Sequence, residues 1–437
     1  MLSHSTALKL HGRSRFGGPL RRHAVIPRHR FIGAVWCLVA MLLLAGDEVR
    51  AQFTFAEDVA SNYNGSGEPT FGTGGNGGSG FEAWSFTTGG SAGGFIGNPA
   101  DAGIGGMSTE SFGLFANPTN SGNFIDVDRD LASAIQIGDT FSFDWGVNFD
   151  ADGPGTKGFN LYVGGVEVIN VDMAGSETIT VNGTDTGFGY GTNVMTWSFY
   201  YADATTLVVT ANDRDGSGSY SNNFTVAGGI DAFQWYAAQL STNSTDQRQP
   251  YYNNLLVTNS GVYDVATERT ESRYLTGSGS LAKTGVGTLI ISGTSNNFTG
   301  TVGITNGAIR ATTDNALGAT NGATTVESGA TLEVSGGITL ADDMTITGNG
   351  VDGGGALRSL GDGENTLSGT ITLGGDARIN VDAPLGSVTA LAGWGTNDFT
   401  VEPAATTLTI FSQTATTMTM SGTPGIGDTL GGYLPVS

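Results

Sequence analysis

Residues 281–312, LAKTGVGTLIISGTSNNFTGTVGITNGAIRAT, alternate small polar and branched apolar residues and are interrupted at regular intervals by glycine. Beginning at Leu289, equivalent aliphatic positions recur at Ile309, Leu332, Leu357 and Ile379, with spacings of 20, 23, 25 and 22 residues. Repeats of this length without a thick core predict a solenoid, in which each coil buries its apolar face against the next coil. Because the strands are rich in Thr, Val and Ile and helix signals are nearly absent, we expect a right-handed parallel β-helix over residues 281–385.

The aromatic residues lie mainly in an earlier part of the chain. Residues 53–260 hold 17 of the 22 Phe, four of the six Trp and nine of the 12 Tyr. Apolar and polar residues alternate there at 140–149, 158–173, 194–201 and 205–213, and Gly164-Gly165 reads as a two-residue hairpin turn. The fold class predicted is therefore all-β, with a β-sandwich of the jelly-roll or concanavalin-like kind at residues 52–260, ahead of the β-helix.

The first 51 residues differ in charge from the rest of the chain. Seven Lys and Arg precede the apolar run FIGAVWCLVAMLLLAG at residues 31–46, and Arg50 follows it directly before Ala51. This order predicts a secretory signal peptide cleaved after Ala51, with a membrane anchor as the alternative. We therefore expect the protein to be exported, to the bacterial cell surface or beyond it.

Removal of that segment would remove all four His and the only Cys, and would leave Lys157 and Lys283 as the only lysines. The mature chain then has no Ser-His-Asp triad, no thiol nucleophile, no disulfide and no zinc site built on His or Cys. The formal net charge of the whole chain is −22. A nucleic-acid partner is excluded, since phosphate binding requires clustered Lys and Arg.

Two segments lack the patterns of their neighbours. Residues 261–280, GVYDVATERTESRYLTGSGS, are highly charged and end in Gly and Ser, so we interpret them as an interdomain linker. Residues 386–437 lose the coil pattern and are expected to form an irregular β-rich tail. The alternatives are a truncated fragment, a soluble secreted form, or a product whose reading frame shifted near residue 385. Residues 386–437 do not have the alternating strands and aromatic girdles of a membrane barrel.

The stretch at 281–312 resembles the autotransporter-associated β-strand repeat. The positions that carry this resemblance are Lys283, Gly285, Gly287, Leu289, Ser292, Gly293, Asn296, Phe298, Thr299, Gly300 and Gly307. Later coils to about residue 383 are similar more loosely. The resemblance implies a passenger-type surface protein, often an adhesin, that depends on outer-membrane export machinery.

Acidic clusters provide the metal candidates. Asp150 and Asp152, and Asp213 and Asp215, stand at alternating positions before glycine, a pattern that allows a tight loop to direct several oxygens at calcium. The alternative interpretation is an acidic hairpin turn. Asp126, Asp128 and Asp130 are likewise interpreted as either a calcium loop or an acidic turn. Calcium is thus a candidate cofactor, and none is certain.

Ligand contacts are predicted from aromatic residues, because ring faces stack on sugars. The candidates are Trp235, Tyr236, Tyr251 and Tyr252, with burial in the core as the alternative for each.

No catalytic residue is identified. The hypothesis is a non-catalytic surface protein whose β-helical stalk displays a sandwich that binds polysaccharide or matrix. The alternative is a carbohydrate-active protein that binds or cleaves polysaccharide with Asp or Glu. Arg310, Arg358 and Arg378 recur in separate coils and are interpreted as a solvated face.

Overall fold

A computed structural model of the chain describes residues 52–63, 70–117, 122–148, 155–174, 178–189, 191–212, 219–240, 248–360 and 365–381, and the backbone of 385–392, 399–403 and 419–420. The predicted signal peptide, residues 1–51, lies outside this range. The described chain is built of β-strands, with short 3-10 turns at Ala60–Tyr63, Pro99–Ala102 and Val351–Gly353. Among these residues there is no helix long and apolar enough to cross a bilayer.

Fifteen described strands precede residue 260, and their positions match the alternating patterns in the sequence. They are β1 (Phe53–Asp58), β2 (Ser85–Gly89), β3 (Ala92–Gly97), β4 (Ser111–Ala116), β5 (Phe124–Asp130), β6 (Asp139–Gly146), β7 (Thr156–Val163), β8 (Val166–Ala174), β9 (Thr178–Val181), β10 (Thr184–Gly189), β11 (Met195–Asp203), β12 (Thr206–Asn212), β13 (Ser219–Thr225), β14 (Ala232–Ala238) and β15 (Tyr251–Asn259). Gly164 and Gly165 have positive φ and join β7 to β8, as the sequence predicts for a two-residue hairpin.

These strands form two antiparallel sheets. One has the order β13-β12-β11-β6-β15-β4-β3, with β1 added beside β15, and the other has the order β10-β9-β8-β7-β14-β5-β2. Their inner faces share one hydrophobic core rich in Phe and Trp. The predicted β-sandwich is confirmed.

Twelve further strands to residue 381 form the solenoid. They are β16 (Val262–Asp264), β17 (Glu268–Glu271), β18 (Leu281–Thr284), β19 (Thr288–Ile291), β20 (Val302–Ile304), β21 (Ala308–Ala311), β22 (Thr324–Val326), β23 (Thr331–Ser335), β24 (Thr339–Leu340), β25 (Met344–Gly348), β26 (Leu357–Leu360) and β27 (Asn365–Val381).

Parallel pairing joins each coil to the next. The five aliphatic positions that the sequence identifies, Leu289, Ile309, Leu332, Leu357 and Ile379, are successive partners in one column. All five are buried in a core of their own that is mainly aliphatic. The predicted parallel solenoid is confirmed.

The segment interpreted as a linker, residues 261–280, has a different place in the structure. Strands β16 and β17 pair in parallel with β18 and β19, so these residues form the first coil of the solenoid. The charges that suggested a linker contact the sandwich instead: Arg273 pairs with Asp139 of β6 at 2.6 Å, and Arg269 donates to the carbonyl of Ile137 at 2.6 Å. Ion pairing therefore accounts for the polar composition of a structured segment.

The N-terminal strand also links the two regions. Strand β1 pairs with β15 in the sandwich, and Phe53 at its start packs edge-on against Phe298 of the solenoid, with ring centroids 5.3 Å apart. Both rings are fully buried. The sandwich and the first coils are thus joined by a shared strand and by shared core contacts.

Residues that carry the repeat resemblance hold the corners of the coils. Lys283 is fully buried, and its Nζ donates to the carbonyl oxygens of Thr284, Gly285 and Asn306 at 2.6, 2.8 and 3.1 Å. The Oδ1 of Asn296 accepts the Leu275 backbone N–H at 2.9 Å. These contacts satisfy backbone groups that a tight turn takes out of the strand ladder.

Of the predicted tail, only backbone segments are described. Strands β28 (Leu385–Ala392) and β29 (Phe399–Pro403) pair in parallel with β27, and β30 (Thr419–Met420) pairs with β29. Parallel pairing therefore continues past the boundary expected at residue 385. The other residues of 386–437 lie outside the described range.

Candidate functional site

The four predicted metal ligands, Asp150, Asp152, Asp213 and Asp215, lie outside the described residues. Within the described part of the chain, no group of three or more His, Cys, Asp or Glu side chains is arranged to hold a metal ion. Calcium therefore remains a prediction from the sequence.

Three of the four predicted aromatic contacts are core residues. Trp235 and Tyr252 are fully buried and stack on each other, with centroids 4.4 Å apart and ring planes 9° apart. Tyr251 is 2% exposed. In place of the exposed ring faces that sugar stacking requires, Trp235 and Tyr252 fill the space between the sheets, and Tyr251 packs against the outer face of its sheet beside Ile104.

Tyr236 lies on the outer face of the seven-stranded sheet, because it follows the inward Trp235 on β14. Its hydroxyl donates to Asp172 Oδ1 at 2.9 Å and accepts from Asn170 Nδ2 at 3.3 Å. The hydroxyl crosses β7 at Gly158, where an added Cβ would lie 2.7 Å from the Tyr236 oxygen. Burial, reinforced by the Asp172 carboxylate, raises the pKa of Tyr236, so the phenol stays neutral and remains a donor.

A row of side-chain amides crosses the same face. Asn170 of β8, Asn160 of β7, Gln234 of β14 and Asp128 of β5 occupy directly opposed positions in the strand register. Asn170 Nδ2 donates to Asn160 Oδ1 at 2.8 Å, Asn160 Nδ2 to Gln234 Oε1 at 3.0 Å, and Gln234 Nε2 to Asp128 Oδ1 at 2.8 Å. We call these four residues the amide row. Every donor in it points toward Asp128, which fixes the orientation of each amide.

Two half-buried carboxylates stand where the row ends. Asp126 and Asp128 lie on β5, and Thr87 and Ser85 oppose them on β2. Burial raises the pKa of both groups, and the neighbouring charge of Asp128 adds to the effect on Asp126. The acidic segment that the sequence left open as a turn or calcium loop is therefore an interior strand of the sheet, next to the edge strand β2.

The outer face of this sheet is polar, and its described strands present no cation there. Its outward positions on β5, β7, β8 and β14, as described, contain no Lys or Arg, because Arg129 and Lys157 point inward and are buried. We call this surface the polar face; it comprises Asp126, Asp128, Asn160, Asn170, Asp172, Tyr162, Gln234 and Tyr236. It offers amide, carboxylate and phenol groups whose mutual hydrogen bonds hold them in place, together with the rings of Tyr162 and Tyr236.

Comparison with known proteins leaves the family unassigned. No family model matches the chain, and no curated protein matches it significantly. Among solved structures it is similar to a carbohydrate esterase from the Shiga toxin-encoding bacteriophage phi24B (13% identity, 48% of this chain and 99% of that one, TM-score 0.30). Others are beta-agarase A in complex with oligoagarose (11%, 41% and 94%, 0.25) and the Ca²⁺/Man3GlcNAc-bound domain of VIP36 (9%, 40% and 81%, 0.24). At such scores the superpositions assign no function to this chain.

Sequence reasoning identified Tyr236 but missed the amide row. The polar positions of these strands do contain a hint of the row. A solvated strand face often has Lys or Glu, whereas Asn160, Asn170 and Gln234 are uncharged amides. Their convergence depends on a register between strands up to 106 residues apart, which the local pattern does not contain.

Two of the three solenoid arginines belong to a column of alternating charges, which we call the charge ladder. Arg310, Glu333 and Arg358 are successive register partners, and Glu333 lies 2.8 Å from Arg310 Nε and 3.7 Å from Arg358 Nη1. Arg378 belongs to a different column, because its neighbour Ile379 is the partner of Leu357. The ladder is a partly exposed surface feature, as interpreted from the sequence for Arg310 and Arg358.

Proposed function

We propose that this protein is an exported, non-catalytic surface protein whose sandwich binds an uncharged polysaccharide on the polar face, with the solenoid as its supporting stalk. The observation that carries the proposal is the amide row. Sugar hydroxyls both donate and accept hydrogen bonds, and fixed Asn, Gln, Asp and Tyr groups complement them. A preorganised row also loses little conformational entropy when a ligand binds.

The charge of the face defines the class of ligand. With carboxylates and no described cation, it disfavours uronic acids and sulfated sugars. Surface display and export rest on the sequence of residues 1–51 and on the repeat resemblance. The sandwich shares β1 and the Arg273–Asp139 pair with the solenoid, so the experiment should use the whole chain from Gln52.

The test is a glycan-array screen of this chain, with and without calcium, followed by titration of the best neutral oligosaccharide. Gln234→Ala interrupts the amide row, and we expect it to weaken binding roughly tenfold, the equivalent of one or two hydrogen bonds. Asn223→Ala is the matched control, since Asn223 is an exposed amide on β13 of the other sheet. Equal affinities for the two variants, or binding of acidic glycans only, would contradict the proposal.

A second function, cleavage of the polysaccharide, is favoured by one observation. Asp126 and Asp128 are half-buried carboxylates on one face, and each has a raised pKa, as a general acid requires. Its test is release of reducing ends from the polysaccharide that binds. Activity that is lost in Asp126→Asn or Asp128→Asn, with binding retained, would replace the non-catalytic proposal by this one.

A further inference from the structure

Asparagine is followed directly by glycine at several places in the described part of the chain. In such a pair the glycine nitrogen can attack the side-chain carbonyl carbon of the asparagine, because glycine has no Cβ to hinder the approach. This makes asparagine chemically labile wherever the two groups are held together. The described pairs begin at Asn76, Asn182, Asn306, Asn321 and Asn349.

At Asn306, in the turn between β20 and β21, the two reacting groups are already in contact. The Gly307 backbone N–H donates to Asn306 Oδ1 at 2.8 Å. Because that oxygen is bonded to Cγ, the glycine nitrogen lies beside the carbon that it would attack. Asn306 is exposed, so water has access to the side chain.

A buried lysine contacts the same peptide group. Lys283 Nζ donates to the carbonyl oxygens of Thr284, Gly285 and Asn306, and three acceptors require the three N–H groups of an ammonium. When the Gly307 nitrogen loses its proton, negative charge spreads over the peptide group to the Asn306 carbonyl oxygen. The ammonium, 3.1 Å from that oxygen and fully buried, stabilises this charge where water screens it little.

We propose that Asn306 is a deamidation site and that Lys283 promotes the reaction. Water or hydroxide takes the Gly307 amide proton, the nitrogen bonds to Asn306 Cγ, and the Cγ–Nδ2 bond breaks. Ammonia leaves with a proton from water. A second water opens the resulting succinimide ring at either carbonyl, which leaves aspartate or isoaspartate at position 306. The modification adds a negative charge close to the buried ammonium of Lys283.

Other Asn-Gly pairs provide comparisons within the same molecule. Asn182 is also exposed, but its side chain donates to the Val168 carbonyl at 3.1 Å and accepts the Asn170 N–H at 2.7 Å. Asn76 Oδ1 accepts from Arg129 Nη2 at 2.7 Å. At both positions these hydrogen bonds must break before Cγ reaches the glycine nitrogen.

The test is peptide mapping by mass spectrometry of the chain from Gln52, incubated at neutral pH either folded or in urea. In the folded chain we expect Asn306 to deamidate roughly tenfold faster than Asn182, whose two hydrogen bonds must break first. In urea the two rates should become similar. Folding should therefore accelerate the reaction at Asn306 and slow it at Asn182.

Two variants test the role of the ammonium. Lys283→Met should lower the rate at Asn306 in the folded chain to the rate in urea or below. Lys157→Met is the matched control, because Lys157 is also fully buried and donates to the Arg248 carbonyl, away from any Asn-Gly pair. It should leave the rate at Asn306 unchanged.

Equal rates at Asn306 and Asn182 in the folded chain, or a rate at Asn306 that folding does not raise, would overturn the proposal. An unchanged rate in Lys283→Met with a native circular dichroism spectrum would overturn it as well. If Lys283→Met does not fold, the comparison of the folded and urea-unfolded chain with Lys283 in place decides.

Discussion

One buried charged pair in the sandwich and one buried carboxylate in the solenoid have different surroundings. In the sandwich, Asp58 and Arg129 are both fully buried and lie 2.5 Å apart. The Asp58 carboxylate also accepts from Tyr63 and Asn62, and Arg129 donates to Asn76 and to the carbonyl of Glu82. The guanidinium carbon lies 4.2 Å from the Trp84 ring centroid. In the solenoid, Asp342 is 1% exposed, and its Oδ1 has no hydrogen-bond partner.

The difference follows from position. Asp58 and Arg129 lie where several elements of a thick core meet, whereas Asp342 lies at a coil corner between the neighbouring coils. At the corner that Asp342 occupies, the other coils have Gly300, Gly322 and Gly369, whose added Cβ would lie 2.1 to 2.4 Å from a carbonyl oxygen of the preceding coil. Asp342 therefore places a carboxylate where the repeat otherwise excludes any side chain.

The largest effect is expected when the sandwich pair is broken. Asp58→Ala leaves the Arg129 charge buried without its partner, and such a loss costs about 3–5 kcal/mol of unfolding free energy. Urea unfolding monitored by Trp fluorescence measures it. The double variant Asp58→Leu with Arg129→Met removes both charges and should cost less than Asp58→Ala alone. The account is wrong if the double variant loses as much unfolding free energy as the single variants Asp58→Leu and Arg129→Met lose together.

In the solenoid, removal of a buried charge should stabilise the fold. Burial raises the pKa of Asp342 from 3.8 to about 6. Because the folded chain holds this proton more tightly, the free energy of unfolding falls as pH rises from about 4 to about 6, by up to about 3 kcal/mol. Asp342→Asn should abolish that dependence and stabilise the protein at pH 7.

Thermal unfolding at pH 4, 5, 6 and 7 would check this. The matched control is Asp314→Asn, because Asp314 is exposed, its Oδ1 accepts the Thr339 N–H at 2.8 Å, and its charge does not act on Asp342. The control should retain the pH profile of the unmodified chain and be slightly less stable. A destabilised Asp342→Asn variant at pH 7 would show that the carboxylate has a partner when the protein is in solution.

The smallest effect is expected at the surface charge ladder. Glu333→Gln removes one charge between Arg310 and Arg358, whose side chains are 30% and 36% exposed. The Glu333 side chain is only 9% exposed, but both guanidinium groups remain partly hydrated, so the ion pairs contribute about 1 kcal/mol and salt screens them. Glu327→Gln on the exposed turn before β23 is the control. A cost above about 2 kcal/mol that persists in 1 M salt would place the ladder among the buried charges.

The predictable parts of this fold are those in which contacts lie close in sequence. The column from Leu289 to Ile379 follows from spacing alone, because each coil meets the next about 20 residues later. By contrast, the local composition around Arg269 and Arg273 predicts a linker, because their partners in the sandwich are more than 130 residues away.

The same limit applies to the candidate site. Alternation shows that Trp235 and Tyr236 point in opposite directions, as do Tyr251 and Tyr252, but it does not identify the inward residue of each pair. In the structure, Trp235 and Tyr252 are the residues that point inward and are buried. The amide row depends on strand register, which the local pattern leaves undetermined.

The shared strand β1 has a consequence for the order of folding. Phe53 is paired with Asn259, far along the chain, while each solenoid strand pairs with a neighbour about one coil away. Contacts between distant residues form slowly, since the loop between them must close first. We therefore expect closure of the sandwich by β1 to be the slow step, and the buried Phe53 ring then gives the coil that holds Phe298 a surface from which later coils add in sequence.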